Sequence, residues 1–233
     1  MTASGTAAAN RRRRVARRGD QPAAVRAQRV DAQRNRSLLL RAAAQAFAEY
    51  GVDVPVEQIA RRAGVAKGTL FRHFPTKERL LAAVLSERLA QVRELVSTLA
   101  EQRDVGLATI GELMASAAAV LAADRSFFDA ATCATVVDPD VRRAKAALEH
   151  DLNALLARAQ ASGEVRSDIV GSDIGMLVMA ATNTCAPSAQ HCPELWRRYL
   201  ALMLDGLRPG ATTPLPVAPL AATALATPPR SGR

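Results

Sequence analysis

Residues 61–81 read RRAGVAKGTLFRHFPTKERLL, and this stretch decides the fold. Its periodicity is helical, yet it holds two glycines, two lysines, two threonines, a histidine and two phenylalanines at close spacing. Two short helices account for it. Pro55 opens the first, Val56 to Ala63, with an apolar stripe of Val56, Ile59, Ala60 and Ala63. Gly64 ends it, because glycine takes a backbone conformation that bulkier residues resist. The second helix runs from Lys67 to His73 after a three-residue turn, and Pro75 closes it. Ile59, Ala60, Ala63, Val65 and Leu70 lock the pair together. The opposite face of the second helix then carries Lys67, Thr69, Arg72 and His73. Two short helices joined by a glycine turn form a helix-turn-helix, whose second helix enters a DNA major groove N-terminus first.

Working outward, nearly everything has a helical period. A helix from Asn35 or Arg36 to Tyr50 shows Leu39, Ala43 and Phe47 on one face, and Gly51 stops it. Thr76 caps a long helix from Lys77 to about Arg103, with Leu80, Leu81, Val84, Leu85, Leu89 and Val92 inward. Helices follow at about 106–122, 125–134 and 139–162, the last started by Asp138-Pro139 and ended by Gly163. Two more run from Ser172-Asp173 to Ala186 and from Pro193 to Leu207. No useful period-two alternation occurs, so the fold class is all-α, with about nine helices. Residues 1–33 hold few large apolar groups that burial could set against the entropy of ordering, and are expected to be a disordered arm. Residues 34–80 form the helix-turn-helix domain and 81–208 a second helical domain. The Pro/Ala/Thr tract 209–233 reads as a flexible tail.

The stretch resembles the tetracycline-repressor (TetR) family of bacterial transcriptional regulators over residues 36–85. The resemblance is carried by Ile59-Ala60-Arg61-Arg62-Ala63-Gly64-Val65, Lys67-Gly68-Thr69-Leu70-Phe71-Arg72-His73-Phe74, Lys77-Glu78 and Leu80-Leu81. Farther on, the Gly163-Glu164-Val165-Arg166 turn and the closing Trp196-Arg197-Arg198-Tyr199-Leu200 to Asp205-Gly206-Leu207 helix look more loosely like the family's effector-binding part. The resemblance implies an N-terminal three-helix DNA-binding domain and a C-terminal helical domain for ligand binding and dimerisation. It implies DNA contacts at Lys67, Gly68, Thr69, Phe71, Arg72 and His73, with Lys77 on phosphate. Ala66 stands where a capping Ser or Thr is common, and Phe71 where a Tyr is usual, so two hydroxyl contacts are missing. The implied partners are a double-stranded palindromic operator, a small-molecule effector and a second copy of the chain. Candidate lining residues for an effector pocket are Met114, Phe128, Thr132, Cys133, Met176, Met179 and Asn183. By spacing alone the apolar ones serve equally well as ordinary core.

Charge agrees with a polyanionic partner at one end. Residues 1–36 hold ten arginines against two aspartates, residues 37–80 have a net +3, and residues 81–233 a net −2. The arginine arm alone would also suit a non-specific architectural DNA-binding protein, and a regulator of this fold can activate as well as repress. Three cysteines (Cys133, Cys185, Cys192) with no close pair suit a reducing cytoplasm rather than a disulfide framework. Cys185-x5-His191-Cys192 matches no strong zinc spacing. No catalytic motif is present, His73, His150 and His191 are scattered, and no cofactor is called for. No apolar run is long enough to span a bilayer, so a cytoplasmic protein is expected.

Overall fold

The computed structural model describes residues 23–123, 138–210 and 213–219. Within them the chain forms eight α-helices: α1 (Ala23–Tyr50), α2 (Val56–Arg62), α3 (Lys67–His73), α4 (Lys77–Ala100), α5 (Leu107–Ala123), α6 (Pro139–Ala161), α7 (Gly171–Cys185) and α8 (Leu195–Asp205). A 3-10 turn, Ala186–Ser188, follows α7. No strand occurs among the described residues. The helix expected at 125–134 lies outside them. Helix α1 starts at Ala23, twelve residues before the expected Asn35, so residues 23–33 of the expected arm are helical. Alanine, arginine and glutamine there favour helix without supplying an apolar stripe to announce it.

The helix ends follow local chemistry. Gly51, Gly64 and Gly163 have φ of 78°, 69° and 77°, a left-handed region that side-chain-bearing residues rarely adopt. Thr76 Oγ1 accepts the Arg79 N–H (3.2 Å), capping α4. The Asp138 carboxylate accepts the N–H groups of Asp140 (2.9 Å) and Val141 (3.3 Å), and Pro139 occupies the first turn of α6, where its missing donor costs nothing. Glu164 reaches across to accept the Leu107 N–H (3.0 Å) at the start of α5, so the turn after α6 caps a different helix.

Two apolar cores result. The first gathers Leu39, Phe47, Ile59, Leu70, Phe74, Leu80 and Leu85 from α1 to α4. The second gathers Leu99, Ile110, Leu113, Met114, Leu155, Ile174, Val178, Trp196 and Leu200 from α4 to α8. Each fully buried Leu, Ile or Phe contributes about 1.5–3 kcal/mol relative to exposure, so each core opposes its own ordering entropy. Helices α4 and α6 enter both cores. Leu80 to Leu85 of α4 lie in the first, past the expected boundary at residue 80, and Val96 and Leu99 lie in the second. Val141, at the start of α6, is fully buried in the first core, while Leu155, Leu156 and Ala159 sit in the second.

These two helices run parallel at a nearly constant offset. Arg79 bonds Asp138 (2.7 Å), Arg93 bonds Asp151 (2.8 Å), and Arg158 donates to the carbonyl oxygens of Ala100 and Gln102. The partners are 59 and 58 residues apart in the first two pairs and 58 at Ala100. Parallel neighbours need a long connection, and the 38 residues between them, 101–138, include α5.

Candidate nucleic-acid interface

Helix α3 is set from beneath by Leu70 and Phe74, both buried, with Ala63, Val65 and Phe71 partly buried against the same core. The turn before it is held by its own backbone: Ala63 N–H to Ile59 O (2.9 Å), Gly64 N–H to Arg61 O (3.1 Å) and Val65 N–H to Ala60 O (3.0 Å). A positive φ at Gly64 permits that closure. Ala66 begins α3 without a side-chain cap, as its chemistry requires. Its carbonyl still accepts the N–H groups of Thr69 (2.9 Å) and Leu70 (3.3 Å). Beyond α3, the Arg36 guanidinium of α1 lies 4.6 Å from the centroid of the Phe74 ring and anchors α1 against that end of the helix.

Because α3 makes about two turns, one face is spent on packing and the other is left open. Lys67, Gly68 and Arg72 are exposed, and Thr69, Phe71 and His73 are half-buried. Lys77 opens α4 half-buried, one short turn beyond. The seven residues expected to meet DNA therefore fall within eleven consecutive positions spanning α3 and the first residue of α4. An α-helix is about 10–12 Å across with its side chains and fits a major groove about 12 Å wide. Arg61, Arg72 and Lys77 form no ion pair with another described residue, so their charge is available to an external anion.

Three partnerships around this surface were not legible in the sequence. Glu57 of α2 forms an ion pair with Lys67, and Glu49 of α1 pairs with Arg62 (2.6 Å). Arg79, two residues after Lys77, bonds Asp138 at the head of α6. Burial opposes ionisation of Asp138, but the Arg79 hydrogen bond, the Val141 and Asp140 N–H groups and the Arg79 charge outweigh it. Its carboxyl is held below the usual aspartate range. The sequence read Asp138 only as a helix starter. Its second partner is 59 residues away, beyond the reach of any local pattern.

The candidate effector-pocket residues are dispersed. Met114 is buried in the second core, and Asn183 is half-buried on α7. Met176 and Met179 are 47% and 40% exposed, so they face outward rather than lining an interior cavity. The reason is helical phase: Ile174, Val178, Ala181 and Cys185 form the inward stripe of α7, which turns positions 176 and 179 away from it. Phe128, Thr132 and Cys133 lie outside the described residues. Cys185 is buried, with its thiol pKa raised by burial and by nearby Cys192, while Cys192 is exposed. Among the described residues no helix is long and apolar enough to cross a membrane.

A helix-turn-helix with an open cationic face, mounted on a separate helical unit, defines a class of DNA-binding regulator. Comparison with known proteins gives the family. Residues 39–84 match the model for bacterial regulatory proteins of the tetR family, and residues 108–209 match the model for the C-terminal domain of SbtR-like transcriptional regulators. A protein of Mycobacterium tuberculosis described as an uncharacterized HTH-type transcriptional regulator is 30% identical over 149 residues, covering 63% of this chain and 77% of that protein. The TetR transcription regulatory protein of Mycobacterium vanbaalenii is 34% identical with a TM-score of 0.58, covering 78% of this chain and 99% of that one. The TetR transcriptional regulator SCO0520 of Streptomyces coelicolor is 31% identical with a TM-score of 0.57, covering 75% and 98%. The chain belongs to the tetR family, whose members are ligand-responsive DNA-binding repressors, and it is a DNA-binding transcriptional regulator.

Proposed function

We propose that the protein is a homodimeric repressor that reads a palindromic operator through α3 and releases it when a small molecule binds the C-terminal helical unit. The observation that carries this reading is the division of α3 into a packed face and an open face. Lys67, Thr69, Arg72 and His73 face the groove, Lys77 meets phosphate, and Gly68 lets the DNA backbone approach. Phe71, without a hydroxyl, offers ring surface to sugar or a thymine methyl. The arginines of residues 1–36 add affinity that is independent of sequence and sensitive to salt.

The outward faces of the last two helices support pairing. Met176 and Met179 on α7 and Tyr199 and Leu202 on α8 are all at least 40% exposed, and α7 and α8 pack side by side. A two-fold axis through this apolar surface would bury it against itself and set two reading helices for successive major grooves. For effector response, the parallel α4–α6 pair is the best-supported connection. It enters both cores, and Arg79–Asp138 and Val141 fasten its upper end beside Lys77. A ligand that binds one arrangement of these helices better than the other shifts the spacing of the reading heads, and DNA must then shift ligand affinity reciprocally.

Selection of bound duplexes from a random pool with the purified protein tests the reading. The expected product is a palindrome with half-sites about one helical turn apart, bound by two protomers. Uniform recovery of all sequences would contradict it and favour an architectural role.

A further inference from the structure

Among the cations of the expected reading face, Lys67 differs from its neighbours. Its ammonium is paired with the Glu57 carboxylate and lies 5.7 Å from the centroid of the Phe71 ring, whereas Arg72 and Lys77 form no ion pair with a described residue. The pair stands in the open: the Lys67 side chain is 56% exposed and that of Glu57 49%. An exposed pair adds little stability, so its value to the fold is small. Its effect on a polyanion is larger. A phosphate that approaches Lys67 must compete with a carboxylate already in place, and that carboxylate repels the rest of the backbone. Glu57 stands in the first turn of α2, a helix whose Ile59 and Ala60 are buried, so the backbone that carries this charge is held in place. The Lys67 hydrogen bond holds the Glu57 carboxyl below the usual glutamate range, so the opposing charge persists at neutral pH.

We propose that Glu57 is a specificity-determining residue: it cancels the charge of Lys67 toward arbitrary phosphate and holds that side chain in one pose for the operator. This rests on the DNA-reading function proposed above. Random duplex, which offers only backbone charge, gains little from a neutralised lysine. The operator, which offers base acceptors in a fixed place, gains from a lysine held between Glu57 and Phe71. Glu57 therefore lowers non-specific affinity more than specific affinity, and discrimination rises.

The test uses the full chain, with the selected operator and a scrambled duplex of equal length, titrated between about 50 and 200 mM salt. In Glu57→Gln, scrambled-duplex affinity should rise about tenfold and its log–log salt slope should steepen by about 0.9, the value of one released phosphate contact. Operator affinity should change less than threefold, roughly. Adding Lys67→Met should abolish the gain. Lys67→Met alone leaves Glu57 as an uncompensated negative charge, so it should weaken binding to both duplexes, and to the operator more than to the scrambled one. The proposal is overturned if Glu57→Gln leaves scrambled affinity and slope as in the wild type, if both duplexes gain equally, or if the gain survives Lys67→Met. Should Glu57→Gln fail to fold by its melting curve, Lys67→Met decides alone: equal losses on both duplexes overturn the proposal. A wild-type protein with no preference for the selected duplex would overturn the DNA-reading function itself. A wild-type preference left unaltered by these variants overturns only the role of Glu57.

Discussion

Helices α2 and α3 are joined by a four-residue turn closed by its own backbone hydrogen bonds, whereas α5 to α8 are joined by longer segments and held by side chains far apart in sequence. In the first region the determinants are adjacent: Gly64 turns the chain, Leu70 anchors it, and Arg72, two residues on, is left outward. In the second they are remote. Glu164 caps α5 at Leu107, 57 residues back, and the Asn153 side chain accepts the Gly171 N–H (2.7 Å) at the head of α7. A reading head must match a duplex of fixed geometry, and short rigid connections meet that demand. A unit that holds a ligand needs helices able to adopt two arrangements, and long-range side-chain ties allow that better than tight turns.

The sharpest way to break this contrast is to hollow each core. Leu70→Ala and Leu113→Ala each remove a fully buried side chain and should cost about 2–5 kcal/mol, read by urea unfolding. Operator binding should fail with Leu70→Ala even at temperatures where the C-terminal helices persist by hydrogen exchange. Next in size is overpacking. A Cβ at Gly171 would lie 2.9 Å from the Leu152 Cβ and 3.2 Å from the Asn153 backbone nitrogen, so Gly171→Val should cost about 1–3 kcal/mol. It should leave the operator affinity of the folded protein unchanged at low temperature.

Two glycines give a matched pair. Gly64 and Gly163 have nearly equal positive φ and open space where a Cβ would stand. Alanine at either should cost about 1–2 kcal/mol of backbone strain. By thermal melting the two variants should look alike, while DNA binding should suffer only in Gly64→Ala. Equal effects on DNA would show that the turn after α6 takes part in reading. The smallest expected effect is at the joint between the units. The folded-state pKa of Asp138 is depressed, so its stabilising contribution is present above the unfolded value and lost as pH falls through the folded one. Asp138→Asn keeps a capping acceptor but loses the charge. The wild type should therefore be the more stable at neutral pH, and its advantage should shrink as pH falls from about 4.

How much was readable in advance follows the same contrast. The residue range of α3 and the punctuation by Gly51, Gly64, Thr76, Asp138 and Gly163 are local signals, and the helices begin or end where those residues stand. The early start of α1 lacked such a signal, since its first turns have helix-forming residues but no apolar stripe. The faces of α7 were half readable. Met176 and Met179 were legible as apolar positions of a helix, but which face of it turns inward depends on where α5 and α8 lie. Glu57, ten positions before Lys67, had no periodic relation to it. The intervening turn brings them together, and only its geometry reveals the pair.

The central claim is that one side of α3 builds the fold and the other reads DNA. Its most direct test is the operator affinity of Arg72→Ala, measured beside its melting temperature. Arg72 is exposed and has no ion-pair partner among the described residues, so removing its side chain should leave the melting temperature within about 2 °C of the wild type. Affinity for the selected duplex should fall about tenfold or more. Unchanged affinity at unchanged stability would contradict the assignment of that face to DNA.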